Sequence, residues 1–284
     1  MQVLHSFSHW LRAHFGELDA VVFDIDGVLT VEGRPTPGAS ELLNTLSQKT
    51  IAFTLLTNDA CHSPAEKSAS LRKIGIPVDQ EDIVSSGDSL SYFVFSHGLS
   101  HQLFFVMGVL GDPCYALKAG LQVTRRLKDL SRCRGVIVGE GRYDWQEVFN
   151  AVVNFFMAKP KAMLITPNPD EYFPLNSGRI EIGPGAVARF VSRVLATYGS
   201  PVEPLYLGKP YLPIFEKNHL ILEQKLGRKL DRDRVWMVGD FIDSDIRGAR
   251  DFGYRAALVL TGLTRRQGLE RSALQPDLVF ERLG

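Results

Sequence analysis

The sequence carries no excess of charge of either sign. Its 284 residues include 32 lysines and arginines and 32 aspartates and glutamates, so the formal net charge is zero. A protein that collects nucleic acid or an anionic membrane by long-range attraction usually has a basic surplus. We therefore expect neither a nucleic-acid partner nor a membrane partner, and any bound anion must be held by local geometry.

Cysteines and long apolar runs are also scarce. The three cysteines, Cys61, Cys114 and Cys133, are odd in number and widely spaced, which fits neither a disulfide framework nor a CxxC metal site. The longest apolar runs, such as residues 103–110 and 256–260, are far shorter than the roughly 20 residues that cross a bilayer. The short runs predict no membrane span, and the cysteine pattern predicts a reducing, cytoplasmic location.

Residues 1–16 contain no uninterrupted apolar block followed by a small-residue cleavage pattern. His5, His9, Arg12 and His14 are interspersed among the apolar residues of this segment. An export signal would need both features. The pattern predicts an amphipathic helix that packs against the protein.

Strand and helix patterns alternate in the first part of the chain. The apolar run AVVF occupies residues 20–23, helical spacing follows over residues 39–48, and a second apolar run covers residues 51–56. A strand, a helix and another strand in this order indicate an open parallel sheet with helices on its faces. We therefore predict an α/β fold with a Rossmann-like core.

The length of the chain suggests two domains, at about 150 residues per domain. A second series of strand and helix patterns interrupts the first, which then resumes with helices over residues 213–226 and 246–253 and strands over residues 234–238 and 256–260. We predict a discontinuous core of residues 1–85 and 205–284. Residues 86–204 would form an inserted α/β cap domain.

Polar side chains follow three predicted strands of the core. They are Asp24 and Asp26 after the first strand, Thr57 and Asn58 after the second, and Gly239 and Asp240 after the third. In open α/β sheets ligands bind beyond the carboxyl ends of the strands. These residues are therefore expected to converge in one crevice.

Asp24 and Asp26 can divide the work of phosphate-ester hydrolysis. Both would lie at the exit of the strand, and Gly27 allows a sharp turn there. One carboxylate can attack phosphorus and form an aspartyl phosphate, while a second acid protonates the leaving oxygen and later activates water. We assign the attack to Asp24 and the acid/base role to Asp26.

Crowded carboxylates repel each other unless a cation lies between them, and Mg²⁺ prefers oxygen ligands. Asp240 would complete such a site, and Asp243 and Asp245 follow on the same turn. Thr57 can donate its hydroxyl to a phosphate. Lys209, in the sequence GKP, can place a positive charge against phosphoryl oxygens.

Simpler explanations exist for the individual residues. An aspartate after a strand, such as Asp240, is commonly a helix N-cap or turn former, and a lone lysine such as Lys209 is usually a solvated surface residue. The sequence DIDG differs, because the packing of an apolar strand gives no reason for two closely spaced acids after it. A structural role for these acids in an unrelated α/β protein would predict no magnesium dependence.

Four segments, in this order, resemble the motifs of the haloacid dehalogenase-like hydrolase superfamily. They are DIDGVLT, LLTND, LGKP and GDFIDSDI. The sequence is most similar to subfamily IIA, which includes NagD-like nucleotide phosphatases, p-nitrophenylphosphatases, phosphoglycolate phosphatases and pyridoxal phosphate phosphatases. The resemblance covers residues 20–279. It implies a Rossmann-like core with an inserted C2-type cap, and a homodimer formed through that cap.

The resemblance also implies a role for each matching residue. It makes Asp24 the nucleophile, Asp26 the acid/base, Thr57 and Asn58 phosphate binders, Lys209 the lysine that neutralises phosphate charge, and Asp240 a Mg²⁺ ligand. The ion would also take the backbone carbonyl of Asp26, with Asp245 as close support. The segments GVIVGEGR and ITPNPDEYFP resemble the cap, and the second implies Asn168, Asp170 and Tyr172 as substrate-specificity residues.

The sequence departs from the family pattern at two positions. The usual TNN is TND here, which places Asp59 beside the phosphate-binding turn, and Gly141 replaces an aspartate of the cap. The second change affects the typical cap contacts, so the substrates of relatives cannot be transferred to this chain.

We predict a magnesium-dependent phosphatase that hydrolyses a small phosphomonoester through an aspartyl phosphate. A phosphotransferase or phosphomutase would use the same intermediate, and the motifs do not separate these reactions. A non-catalytic binding module with this fold is the third alternative. Loss of Asp24 or Asp26 would indicate it, and both are present.

Overall fold

The computed structural model describes residues 2–141, 143–175 and 179–284. The chain divides into two compact units. The first comprises Met1–Thr57, Pro64–Val84 and Lys209–Gly284, and the second comprises Asn58–Ser63 and Ser85–Gly208. The roles of catalytic core and cap for these units, and the predicted domain limits, stay predictions.

The elements of the first 85 residues begin with a strand. They are β1 (Val3–Ser6), α1 (Phe7–Ala13), β2 (Ala20–Phe23), β3 (Thr30–Val31), β4 (Arg34–Pro35), α2 (Ala39–Gln48), β5 (Ala52–Thr57), α3 (Pro64–Lys73) and β6 (Ile83–Ser85).

The next elements belong to the second unit. They are α4 (Ser89–Ser96), β7 (Leu103–Met107), α5 (Tyr115–Lys118), β8 (Gln122–Thr124), β9 (Gly135–Val138), α6 (Trp145–Ala158), β10 (Met163–Thr166), β11 (Tyr172–Pro174), β12 (Ile180–Ile182), α7 (Pro184–Tyr198) and β13 (Pro204–Tyr206).

The chain then completes the first unit. Its last elements are α8 (Leu212–Leu226), β14 (Val235–Gly239), α9 (Arg247–Phe252), β15 (Arg255–Val259), α10 (Arg266–Arg271) and β16 (Leu278–Arg282). A π-helical turn, Ile242–Ile246, precedes α9.

The first unit is built on a seven-stranded sheet with the order β1-β16-β15-β14-β2-β5-β6. The neighbouring strands from β1 to β5 in this order all pair in parallel. Helices connect parallel strands, because a parallel connection must return to the same end of the sheet. The predicted parallel α/β fold is confirmed.

The central strand β2 is buried on both sides. Val21 and Phe23 pack into one hydrophobic cluster, and Ala20 and Val22 pack into another. Side chains alternate between the two faces of a strand, so two clusters at alternating positions place a layer of core on each face of the sheet. A strand buried in this way must be apolar throughout, which explains the sequence AVVF.

The N-terminal segment differs from its prediction as a single helix. Its first residues form β1, which pairs with β16 and brings Val3 opposite Val279, and only Phe7–Ala13 is α-helical. The Ser6 hydroxyl caps the helix by accepting a hydrogen bond from the His9 backbone N–H at 3.2 Å. The predicted packing role is correct for α1, because Phe7 and Leu11 are fully buried in the core.

The second unit has its own sheet, with the order β13-β10-β9-β7-β8 and all pairs parallel. Its β11 and β12 pair as an antiparallel hairpin. Apolar side chains from α6 and α7, such as Val152 and Val191, pack against the sheet residue Val136 in one cluster. This unit is therefore an α/β domain with a separate core.

No helix in the described parts of the chain is both long enough and apolar enough to span a membrane.

Candidate active site

The site begins where β2 and β14 end. These strands are parallel neighbours in which Phe23 lies opposite Val238. The backbone N–H of Asp24 donates to the Val238 carbonyl at 2.9 Å and continues the ladder by one residue. Because parallel strands end at the same edge of a sheet, Asp24 and Asp240 leave their strands side by side.

Three carboxylates meet around one lysine at this edge. Each of Asp24, Asp240 and Asp245 contributes an oxygen, and these oxygens all lie within 4.8 Å of one another. The Lys209 ammonium donates to Asp24 Oδ1 at 2.6 Å and to Asp245 Oδ1 at 2.7 Å. Its side chain is only 4% exposed, so the lysine is buried against both carboxylates.

The titration of these groups reflects their crowding. Burial raises the pKa of Asp24 well above its ordinary 3.8, and neighbouring Asp245 and Asp240 add to this against the opposing charge of Lys209. Burial, and then Asp245, raise the pKa of Asp240 to about 7. Burial would lower the pKa of Lys209, but Asp24 and Asp245 raise it above its ordinary value, so the lysine keeps its proton.

The charges indicate a cation site. One ammonium faces three carboxylates when all are ionised, which leaves a buried excess of two negative charges. A divalent cation would offset this excess and favour the ionised forms, and oxygen ligands are those that Mg²⁺ prefers. The residues present therefore fit a divalent metal ion.

Asp245 is held by the backbone that surrounds it. Its Oδ2 accepts hydrogen bonds from the backbone N–H groups of Asp240 at 3.2 Å and Phe241 at 3.1 Å. Asp243 lies on the same π-helical turn but forms an ion pair with Arg247 at 2.6 Å and is 63% exposed. The turn therefore directs Asp245, and not Asp243, into the carboxylate cluster.

Glycines create the space for these carboxylates. A Cβ atom at Gly239 would lie 2.2 Å from Asp245 Cβ, and one at Gly27 would lie 2.4 Å from Asp240 Oδ2. At Gly262 the same distance to Asp240 Oδ2 would be 1.8 Å. A side chain at any of these positions would displace a carboxylate of the cluster.

Sequence reasoning missed the loop of residues 261–264. Its Leu263 backbone N–H donates to Asp240 Oδ2 at 2.5 Å, and its Thr264 N–H donates to the Asp240 carbonyl at 3.0 Å. The Thr261 hydroxyl donates to the Gly27 carbonyl at 2.5 Å. The sequence does contain a signal for this loop. The segment TGLT follows the strand predicted at residues 256–260, just as polar residues follow the three other predicted strands of the core.

Comparison with known proteins identifies the family of the chain. Residues 21–122 match a family model described as haloacid dehalogenase-like hydrolase, and residues 206–284 match one described as HAD-hydrolase-like. The hypothetical protein PH1952 of Pyrococcus horikoshii OT3 is 30% identical, with a TM-score of 0.79 over 93% of this chain and 96% of that one. The chain belongs to the haloacid dehalogenase-like hydrolases.

Relatives in this hydrolase family include named phosphatases. A dihydroxyacetone phosphatase of Corynebacterium glutamicum is 28% identical over 90% of this chain and 86% of its own length. The p-nitrophenyl phosphatase from Archaeoglobus fulgidus is 26% identical, with a TM-score of 0.77 over 93% of this chain and 96% of that one. The predicted resemblance is confirmed, and so is the prediction of an enzyme of the haloacid dehalogenase-like phosphatase type.

Asp26, the acid/base predicted from the family motif, does not join the three carboxylates. Its side chain is exposed, and its Oδ1 accepts a hydrogen bond from the Thr30 hydroxyl at 3.0 Å. The backbone N–H of Gly27 donates to the Thr30 carbonyl at 2.6 Å and closes the turn after β2. Of the predicted core residues, the structure therefore brings together Asp24, Asp240, Asp245 and Lys209, while Asp26 lies on the adjoining turn.

The two predicted phosphate binders of the LLTND motif are adjacent in sequence but belong to different units. Thr57 is the last residue of β5 and is buried in the first unit. Asn58 begins the segment that groups with the second unit, where its amide donates to Asp170 Oδ1 at 2.9 Å. Thr57 thus ends β5 and Asn58 is the first residue after it, and the roles of both in phosphate binding stay predictions.

The three predicted cap residues occupy different environments. Asn168 is 3% exposed and donates from its amide to Glu140 Oε1 at 2.9 Å, whereas Tyr172 is 50% exposed on β11. Asp170 bonds to Asn58, as described above. Their roles in substrate specificity stay predictions.

The departures from the family pattern have local explanations. Asp59 accepts hydrogen bonds from the backbone N–H groups of Cys61 at 2.7 Å and His62 at 3.1 Å, so its carboxylate organises the turn that follows Asn58. Gly141 has a φ of +89°, in the left-handed region that an aspartate adopts much less readily. The backbone at this position therefore favours the glycine.

Proposed function

We propose that this protein is a magnesium-dependent phosphatase that hydrolyses a small phosphomonoester through an aspartyl phosphate on Asp24. The observation that carries the proposal is the buried Lys209 ammonium, which holds Asp24 and Asp245 at 2.6 and 2.7 Å beside Asp240. Burial of these charges contributes little to the stability of the fold, because the cost of removing them from water can exceed their mutual attraction. Crowded buried charges of this kind are typical of functional sites.

Asp24 would attack the phosphorus atom. One carboxylate oxygen forms the new bond to phosphorus as the bond from phosphorus to the leaving oxygen breaks. The contact with Lys209 keeps the attacking carboxylate in one orientation before substrate arrives. The same ammonium then faces the charge that the phosphoryl group brings.

Asp26 would move the protons. Its exposure allows exchange with water, and the bond from Thr30 fixes one of its oxygens. In the first step its acid form donates a proton to the leaving oxygen. In the second step its carboxylate takes a proton from the water that attacks phosphorus, and the bond between Asp24 and phosphorus breaks.

The phosphoryl group would be held by donors from several elements. Thr57 contributes a hydroxyl at the end of β5, and Asn58 contributes an amide one residue later. Lys209 supplies the full positive charge. A bound Mg²⁺, held by Asp24, Asp240 and the carbonyl of Asp26 with support from Asp245, would supply further charge against the phosphoryl oxygens.

The substrate class is proposed from the relatives. They are named as dihydroxyacetone, acid sugar and p-nitrophenyl phosphatases, and they align along most of their length with this chain. A small phosphorylated metabolite such as a triose or sugar phosphate is therefore the class to test. Because the chain departs from the family pattern at Gly141 and Asp59, the substrate within that class must be found by experiment.

The test measures phosphate release from sugar phosphates, nucleotides, phosphoglycolate, pyridoxal phosphate and p-nitrophenyl phosphate, with Mg²⁺ or with a chelator. Asp24→Asn should abolish release. Asp243→Asn is the matched control, because Asp243 is an exposed acid two residues from Asp245 and outside the cluster. Phosphate release by Asp24→Asn, or release by the wild type that the chelator does not reduce, would contradict the proposal.

Isotope transfer separates hydrolysis from phosphoryl transfer to another hydroxyl. Hydrolysis in labelled water places the label in free phosphate, because water attacks the aspartyl phosphate. A transferase or mutase would pass the group to its acceptor and release no labelled phosphate. The isotope experiment should use the substrate of the panel that gives the highest turnover.

The homodimer through the inserted unit stays a prediction, as does a cytoplasmic location. Light scattering at micromolar concentration would give the mass in solution for comparison with the 31.6 kDa of one chain.

A further inference from the structure

Asn58 is attached to the second unit at both its backbone and its side chain. Its carbonyl accepts a hydrogen bond from the Ser86 hydroxyl at 2.6 Å, and its amide nitrogen donates to Asp170 Oδ1 at 2.9 Å. Asn58 is 7% exposed and Ser86 is fully buried. The bond to Ser86 is therefore buried and the bond to Asp170 is partly buried, and a hydrogen bond that is shielded from water is stronger than one at the surface.

The contact with Asp170 continues into a series of polar side chains. The backbone N–H of Asp170 donates to Asn168 Oδ1 at 2.9 Å, and the Asn168 amide nitrogen donates to Glu140 Oε1 at 2.9 Å. Asn168 is 3% exposed. Asn58, Asp170, Asn168 and Glu140 thus form a continuous hydrogen-bonded series, which we name the amide–carboxylate series.

The backbone that carries Asp170 is itself fixed. Its carbonyl accepts from the backbone N–H of Gly185 at 3.0 Å, at the start of α7. A Cβ at Gly185 would lie 1.9 Å from the Pro169 carbonyl oxygen, and one at Gly183 would lie 2.2 Å from that of Asp170. The loop can pack this closely on the helix only because both positions are glycine, so Asp170 has a rigid support.

The chemistry of the series sets the orientation of the Asn58 amide. An ionised carboxylate accepts hydrogen bonds but cannot donate them, so Asp170 must face the nitrogen of the amide and not its oxygen. A charged acceptor also makes a stronger bond than a neutral one. The amide nitrogen carries two hydrogens, so its bond to Asp170 is compatible with a second donation to a phosphoryl oxygen.

We infer that Asp170, supported by Asn168 and Glu140, is a positioning residue that orients Asn58 for phosphate binding. This inference rests on the proposed function. It gives Asp170 a different task from the substrate selection that the family resemblance implied. Asp170 would act on the phosphoryl group that all substrates share, through Asn58.

The two roles predict different patterns across substrates. A specificity residue changes the ranking of substrates, because it contacts the part in which they differ. A residue that positions Asn58 lowers kcat/KM by the same factor for every phosphomonoester. It should also weaken inhibition by inorganic phosphate, which has no other part to contact.

The experiment is a double-mutant cycle on Asn58→Ala and Asp170→Leu, measured with p-nitrophenyl phosphate, glycerol phosphate and a nucleoside monophosphate. The leucine side chain has the same branched arrangement of four heavy atoms as aspartate, but it has no hydrogen-bond acceptor. We expect Asp170→Leu to lower kcat/KM about 10- to 100-fold with each substrate, the effect of one charge-assisted hydrogen bond. The double variant should be no worse than Asn58→Ala, because both changes remove the same contact.

Conservative and control variants complete the design. Asp170→Asn keeps both the size of the side chain and an acceptor oxygen and should retain most of the activity, so a loss confined to Asp170→Leu would be due to the missing acceptor. Glu203→Leu changes an exposed acid of the same unit and should have no effect. If Asp170→Leu does not fold, as judged by circular dichroism, Asp170→Ser replaces it in the cycle because its hydroxyl is too short to reach Asn58.

The outcomes of these experiments either support or overturn the positioning role of Asp170. Equal losses across substrates, a parallel rise in the inhibition constant of inorganic phosphate and a non-additive double variant support the inference. Additive losses, a changed substrate ranking or full activity in Asp170→Leu overturn it while the proposed function stands. A folded wild-type protein that releases no phosphate from these substrates or from any compound of the wider panel overturns the proposed function and this inference together.

Discussion

Gly262 and Asp240 are in such close contact that no side chain fits between them. A Cβ atom at Gly262 would lie 1.8 Å from Asp240 Oδ2, well inside any contact distance. The backbone of this loop approaches the carboxylate so that the neighbouring Leu263 N–H can donate to it at 2.5 Å. The loop after β15 is therefore part of the support for the proposed metal ligand.

Gly262→Ala should inactivate the enzyme while the rest of the fold is kept. The added methyl group must displace Asp240, and a shift of about 1 Å in a catalytic group lowers activity by about 100-fold. Phosphate release and the Mg²⁺ concentration for half-maximal activity measure this effect. Gly268→Ala is the control, because its Cβ would have its nearest neighbour at 4.0 Å. Equal activity of the two variants would contradict the role of this loop.

Lys209→Met should destabilise the protein strongly in the absence of Mg²⁺. The substitution leaves Asp24, Asp240 and Asp245 without the cation that they surround, and breaking a buried ion pair in this way lowers the free energy of unfolding by about 3–5 kcal/mol. Urea unfolding measures the loss. Mg²⁺ should recover part of it, since a ligand of the folded state stabilises that state.

The exposed Lys229 provides the comparison for this experiment. Its side chain is 89% exposed, and Lys229→Met should change the free energy of unfolding by no more than about 0.5 kcal/mol. Similar stability of the two variants would show that the buried ammonium does not hold the carboxylates together.

Phe7→Ala should reveal how much the N-terminal helix contributes to the core. Phe7 is fully buried, and its ring meets the rings of Phe280 at 5.4 Å and Phe23 at 6.1 Å between centroids. Removal of such a ring lowers the free energy of unfolding by about 3–5 kcal/mol. Phe95→Ala, at a position that is 84% exposed, should lower it by less than about 0.5 kcal/mol. A small effect at Phe7 would mean that α1 is detached in solution.

Acid should destabilise the protein in part through His219. Burial lowers the pKa of His219 below its ordinary 6.5, although nearby Glu223 opposes the shift. The unfolded chain therefore binds more protons than the folded one in the pH range between the two pKa values. The stability that the neutral ring provides is complete above pH 6.5 and is lost as the pH falls toward the lower, folded-state pKa.

His219→Gln should reduce this loss. The free energy of unfolding is measured for wild type and variant from about pH 7.5 to about pH 5, and the wild-type curve should fall more steeply. His5→Gln, at a side chain that is 69% exposed, should leave the steep curve unchanged. Parallel curves for wild type and His219→Gln would assign the acid sensitivity to other groups.

The apolar strands of the first unit's sheet could be predicted from the sequence, because buried parallel strands are continuous apolar runs. AVVF could only be a core strand, and the acids that follow it had no packing role. The helix over Ala39–Gln48 was predicted to the residue for a related reason, since its four buried positions recur at helical spacing.

Other features depended on contacts that no local pattern records. The strand β1 was missed because VLHS is not strongly apolar and its partner Val279 is 276 residues away from Val3. The role of Gly262 was not predicted, because it depends on the close approach of Asp240, which follows a different strand. The bond between Asn58 and Asp170 likewise joins residues that are 112 positions apart.

The pairing of β1 with β16 has a consequence for the behaviour of the protein in concentrated solution. Without β1, the strand Leu278–Arg282 would form an open edge of the sheet, with backbone donors and acceptors available to another chain. The short strand Val3–Ser6 occupies that edge and brings His5 to the surface beside Glu281. The edge of the sheet is therefore β1, which is only four residues long, and so short an edge strand leaves another chain few backbone groups with which to pair.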